Sequence, residues 1–156
     1  MKYFKFIGLL LFTSSTFLYS SAQKDVITKV SHFKPPVVKV RLGDIGSDSV
    51  FNVQAVTANL TMALKVTDAK GVFYPIESYQ FVYTKKGAMQ DEATGKVVPT
   101  STIQANRFFT SPLPKVWSDN ISNSLHPGEE IYFFDIVVKD KQGRKFFAPP
   151  LKFIIK

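Results

Sequence analysis

Hydrophobic positions along this chain recur mostly at every second residue, in short runs separated by glycine and proline. Such alternation predicts half-buried β-strands. Val38, Val40 and Leu42 share one face of a strand entered from the extended Pro35-Pro36 segment. Leu60, Met62, Leu64 and Val66 do the same in a strand read over Asn59–Val66. Val26–Val30 is a candidate first strand, and Val72–Ile76 is strand-like up to a break at Pro75. In Ser78–Thr84, Tyr79, Phe81 and Tyr83 alternate with Gln80 and Val82, an aromatic stripe expected in the core. Asp48–Val56 reads in two ways: as one or two helical turns capped by Ser47 or Asp48, or as extended chain because of its β-branched content. Lys85–Lys96 is polar and carries glycine, which suits a mobile loop or an extended hairpin tip, with a strand leading out over Thr100–Ala105.

The last quarter has the clearest strand grammar. Pro127-Gly128 is a turn dipeptide, followed by a strand over Glu130–Lys139 with apolar residues on both faces. Two apolar faces place that strand centrally, covered on both sides. Asp135 interrupts it, and is expected to accept hydrogen bonds from neighbouring backbone N–H groups or to sit at a rim. Asp140–Gly143 is a hairpin loop, and the returning strand starts at Arg144. Pro149-Pro150 puts that strand at a sheet edge or a bulge, after which Leu151, Phe153 and Ile155 point inward and Lys152 and Lys156 outward. One helix is predicted, over Pro112–Ser124, with Ser111 as N-cap and Pro112 in the first helical position. Leu113, Val116, Trp117, Ile121 and Leu125 form its apolar stripe, with Trp117 anchoring it to the sheet. The fold class is therefore mainly β: an antiparallel β-sandwich, Ig-like or related, with one short amphipathic helix.

The N-terminus changes the compartment. Lys2 and Lys5 precede an apolar run over Phe6–Tyr19, and Ser20-Ser21-Ala22 supplies small residues for cleavage between Ala22 and Gln23. Residues 1–22 read as a secretory signal peptide whose apolar part falls short of the roughly 20 residues a bilayer-spanning helix takes, with an uncleaved anchor as the alternative. The expected organisation is a signal peptide over 1–22, an N-terminal segment over 23–34 and a single β-rich domain over 35–156. The expected location is the periplasm, with the cell surface or extracellular space as alternatives, and no transmembrane helix after cleavage.

Composition narrows the chemistry. The chain has 156 residues, enough for one domain, and no Cys, so neither disulfides nor thiolate chemistry enter. Its formal charge of +8 is scattered along the chain and falls by two when Lys2 and Lys5 leave with the signal peptide. Scattered charge suits a solvated surface, and no motif suggests nucleic acid. His32 and His126 stand alone, and Asp44 and Asp48 do not complete a calcium loop. The chain is thus expected to have no catalytic residues, no cofactor and no metal, and not to be an enzyme.

Several residues occur in a familiar order: Asn106-Arg107-Phe108, the helix, then Leu125, Pro127, Gly128, Glu129, Ile131, Tyr132, Phe133, Asp135, Ile136, Asp140 and Gly143, closing on Pro150-Leu151-x-Phe153-x-Ile155. In this order the chain resembles the C-terminal domain of the GldM/PorM family, gliding-motility and type IX secretion proteins of Bacteroidetes, over residues 35–156. Here it would be a stand-alone single domain with a signal peptide in place of an inner-membrane helix. The resemblance implies a β-rich periplasmic domain with a protein-binding role, in which those residues are structural. The expected function is a non-catalytic exported interaction or structural module whose partners are envelope proteins, including a second copy in a homodimer. The alternative is a β-sandwich binding glycan or an anionic polymer, which requires Tyr79, Tyr83 or Trp117 exposed together on one patch.

Overall fold

Val38, Val40 and Leu42 are buried on one side of β1 (Val38–Leu42), as their spacing predicts. The computed structural model describes residues 33–47 and 49–156; the signal peptide, the cleavage site at Ala22 and Gln23, the Val26–Val30 run and His32 lie outside the described residues. After β1 come β2 (Ile45–Gly46), β3 (Ser49–Phe51), α1 (Val53–Leu60), β4 (Leu64–Asp68), β5 (Ile76–Gln90) and β6 (Val97–Phe108). The rest is α2 (Lys115–Ser124), β7 (Glu130–Lys139), β8 (Lys145–Ala148) and β9 (Leu151–Ile155). The fold is mainly β and sandwich-like. A three-stranded sheet runs β2-β1-β4, and a six-stranded sheet runs β3-β9-β7-β5-β6 with β8 also on β7. Pairing is antiparallel except for β3 on β9.

The larger sheet buries Tyr79, Phe81, Tyr83, Ile131, Phe133 and Phe153 on its inner face. Trp117 of α2 meets Phe81 and Phe108 edge-on at 5.8 and 5.4 Å, the anchoring expected of it. Tyr74, following β4, meets Phe146 of β8 at 5.4 Å, where the smaller sheet reaches the larger. Among the described residues, no helix is long and apolar enough to cross a membrane.

Several expectations need correction. Among the described residues there are two helices, because Asn52 caps α1 by accepting the Ala55 N–H at 2.8 Å. The helix takes Asn59 and Leu60 from the run read as strand, which begins only at Leu64. Val56 and Leu60 are buried at helical spacing, Leu64 and Val66 at strand spacing, and Met62 between them is half exposed. In α2, Ser111 does not cap; its Oγ accepts the Leu64 N–H at 2.8 Å, and the helix starts at Lys115 behind Pro114. Val116 consequently faces solvent rather than the stripe.

The remaining corrections concern β7. Among the described residues only one of its faces is fully buried: Tyr132 and Phe134, half-buried, stack on each other at 5.0 Å on the more open side. Asp135 is exposed rather than buried, with φ +47°, and the strand changes phase there. Ile131 and Phe133 are buried before it, and Ile136 and Val138 after it. Matching phase changes occur at Ser78-Tyr79 in β5, both buried, and across Pro149-Pro150, between Ala148 and Leu151. The β5–β7 register shifts on either side of Ser78. Three neighbouring strands thus share one crease, made by paired bulges and a proline break.

Candidate functional site

Two features stand apart from an ordinary β-sandwich core: a buried carboxylate, and a hairpin that outgrows its sheet.

The carboxylate is Glu129, 0% exposed. It follows the Pro127-Gly128 turn, where Gly128 takes φ +86° and donates its N–H to Ile155 O at 2.8 Å. Tyr83 donates its hydroxyl to Glu129 Oε2 at 2.5 Å, and the His126 backbone N–H donates to the same oxygen at 2.9 Å. Oε1 accepts the backbone N–H of Lys86 at 3.3 Å. Burial, and then the hydrogen bond to Glu129, push the Tyr83 hydroxyl up to about 12. The exposed His126 ring approaches Glu129 Oε1 at 4.0 Å, and its Nδ1 lies 2.6 Å from Ser124 O.

The position of Lys86 explains this arrangement. The ladder between β5 and β7 ends at Thr84–Glu130, and the next N–H of β5 aimed toward β7 is that of Lys86. Glu129 satisfies it with a side chain, closing the sheet where β5 departs. From there β5 and β6 continue as a two-stranded ribbon, paired out to Gln90–Val97. Asp91 shapes its tip, with Oδ1 accepting the N–H groups of Ala93 and Thr94 at 2.9 Å each. Lys85–Lys96 is therefore the extended hairpin tip of the two alternatives the sequence left open.

The outer face of the sheet continues onto this hairpin in three cross-strand rows. One row holds Val50, Ile154, Glu130, Thr84 and Ile103; the next Lys152, Tyr132, Val82 and Ala105; the third Phe134, Gln80 and Arg107. Val50, Ile154 and Ile103 are exposed, Ile103 by 66%. Lys152 pairs with Glu130 at 3.1 Å, and Arg107 donates to Ser78 Oγ at 3.0 Å.

The residues singled out by the resemblance are distributed over the fold. Phe108, Leu125 and Phe133 are core, and Tyr132 is on the open face. Asn106 is exposed on β6, where its Oδ1 accepts the Arg107 N–H at 2.8 Å. Pro127 and Gly128 make the turn that aims Glu129, and Gly143, with φ +79°, closes the loop held by Asp140. Asp135 makes the crease. The structure does not assemble them into one site. Tyr79 and Tyr83 are 0% exposed, and Trp117 packs against two rings, so the aromatic platform of the glycan reading is absent.

Glu129 belongs to the series that carries the resemblance, yet the sequence assigns it no role of its own, because it stands beside Glu130 and looks like turn solvation. Its signal was a carboxylate between a Pro-Gly turn and an apolar strand. The ribbon's signal was the mostly polar run Thr100–Asn106, in which Ile103 is the one large apolar residue. A separate groove of about 320 Å³ lies between β1 and the Pro149-Pro150 break, beside Lys39 and Arg41. The Arg41 guanidinium there donates to Asp44 O at 2.6 Å. Among the described residues no three His, Asp or Glu side chains gather where they could hold a metal ion.

No family model matches the chain, and no curated protein matches it.

Proposed function

We propose that this chain is a non-catalytic, exported interaction module that works through the β5–β6 side of its larger sheet. The observation carrying this reading is the hairpin itself. A ribbon exposed on both faces, fixed at its base by a buried carboxylate, continues an open face bearing Ile103, Val82 and Tyr132. Exposed apolar side chains such as Val50, Ile154 and Ile103 on one sheet face are characteristic of a surface that meets another molecule. The signal-peptide pattern of residues 1–22 supports export. The GldM/PorM resemblance supports envelope proteins as partners, and extends the proposal to the type IX secretion or gliding apparatus.

The test is co-isolation from cell envelopes with three forms of the protein. Wild type and Val116→Asp, altered on the exposed side of α2, should recover the same partner. Ile103→Asp should weaken recovery by about tenfold, the effect of losing about 1.4 kcal/mol at an interface. Recovery of no envelope protein above background, or a loss confined to Val116→Asp, contradicts the reading.

A further inference from the structure

We propose that β6 binds its partner by strand addition, taking up an extended, acidic segment of another polypeptide along Thr100–Asn106. This rests on the interaction-module reading and specifies the form of the partner.

The argument starts from which backbone groups face outward. The Lys86 N–H points toward β7, where Glu129 takes it. In an antiparallel ladder donors alternate in direction, so Lys85, Tyr83 and Phe81 point toward β6. Their register partners are Thr102, Gln104 and Asn106. The N–H and C=O groups of Ser101, Ile103 and Ala105 therefore face the free edge of the sheet. Two independent observations agree with this parity. The Arg107 N–H bonds the Asn106 side chain rather than β5, and Pro99, which has no N–H to donate, occupies the same parity.

Those two residues also delimit the opening. Native sheets blunt exposed edges with proline, charge or local caps. Here Pro99 blocks one end and Asn106 occupies the donor at the other. Between them three residues offer outward N–H and C=O groups, room for about six ladder hydrogen bonds. The chemistry of such an edge selects an extended backbone.

Charge selects the side chains. Lys85 and Lys86, opposite Thr102 and Ser101, have no ion-pair partner among the described residues. Asp91 is engaged in the ribbon tip. A segment alternating apolar and acidic residues would continue the Ile103–Ala105 face with the first and turn the second to the opposite face, where Lys85 stands beside Thr102. A second copy pairing about Ile103 would instead bring two cationic edges together.

The test uses amide exchange of the isotope-labelled chain with an acetylated, amidated heptapeptide alternating Val with Glu and Thr as probe. In the free protein Thr102 and Gln104 should exchange slowly, and Ser101, Ile103 and Ala105 fast. Millimolar probe should slow the last three by about tenfold or more. The probe N-methylated at alternate residues should have no effect, and a Lys-for-Glu probe should bind about tenfold more weakly. Ile103→Pro, at an outward position like Pro99, should keep β5–β6 exchange unchanged and abolish protection of Ser101 and Ala105.

No protection of the wild type, or equal protection by the methylated probe, overturns the proposal. So does protection without probe that grows with protein concentration, which would identify a second copy as occupant. If envelopes yield a partner that Ile103→Pro retains, strand addition falls and the interaction module stands. If neither probe nor envelope protein binds, both fall.

Discussion

Glu129 is the side chain on which the base of the ribbon depends. It takes hydrogen bonds from Tyr83, His126 and Lys86, which belong to two different parts of the chain. Removing a buried acceptor leaves its donors without water or partner, which costs far more than the net worth of a hydrogen bond. Glu129→Ala should destabilise the fold by about 3–5 kcal/mol, and Glu129→Gln, which retains one acceptor, by about 1–3 kcal/mol, measured by urea denaturation. Asp135 is a different kind of special residue. Its φ of +47° is tolerated by Asp and Asn, natural to Gly and hostile to β-branched side chains. Asp135→Gly should leave stability unchanged or raise it by up to about 1 kcal/mol, and Asp135→Val should lower it by about 1–3 kcal/mol in the same assay. The sequence marked Asp135 as an anomaly but supported the wrong cause. With apolar residues at both parities of Glu130–Lys139, a phase change leaves no trace in the pattern, so a bulge looked like a buried carboxylate.

Among elements, legibility followed how many constraints coincided. β1, β9 and the Trp117 anchor were readable because one face was polar and the other apolar. α1 was not, since Val56, Leu60 and Leu64 are spaced by four, which satisfies a helix and a strand alike. Asn52 breaks the tie, and its role as a cap shows only once the helix exists. The crease across β5, β7 and the Pro149-Pro150 break depends on register, which single-strand patterns do not carry. Glu77 sits at that crease, where Lys139 and Lys145 face each other across the ladder. It pairs with Lys139, and with Lys145 at 2.7 Å, relieving the repulsion of two like charges opposite one another. Lys139, and then Lys145, hold its carboxyl below the ordinary range near 4.5. A depressed carboxylate contributes stability that is present above its unfolded value and lost as pH falls through the folded one. Glu77→Gln should therefore melt below the wild type at pH 7, with the two melting temperatures converging as pH drops from about 5 to 3.

At the scale of the molecule, the mainly β class and the extended hairpin tip were available from alternation and turn residues, whereas the open face was not. Strand pattern reports which residues are apolar and is silent on whether a second layer covers them. Tyr132, Phe134 and Val82 could have been core on both sides, and they are only half-buried, with no second layer on that side of the sheet among the described residues. The result is a sandwich-like domain with a covered side that accounts for its stability and an open side that continues into a projecting ribbon. The central claim is that the chain meets its partner on that open side. Site-resolved photo-cross-linking in intact cells tests it most directly, with the reactive side chain placed in turn at Ile103 on β6 and at Val116 on α2, both exposed. Adducts of one defined mass at position 103 and none at position 116 are the predicted result. Adducts at 116 alone, or the same adducts at both positions, would contradict it.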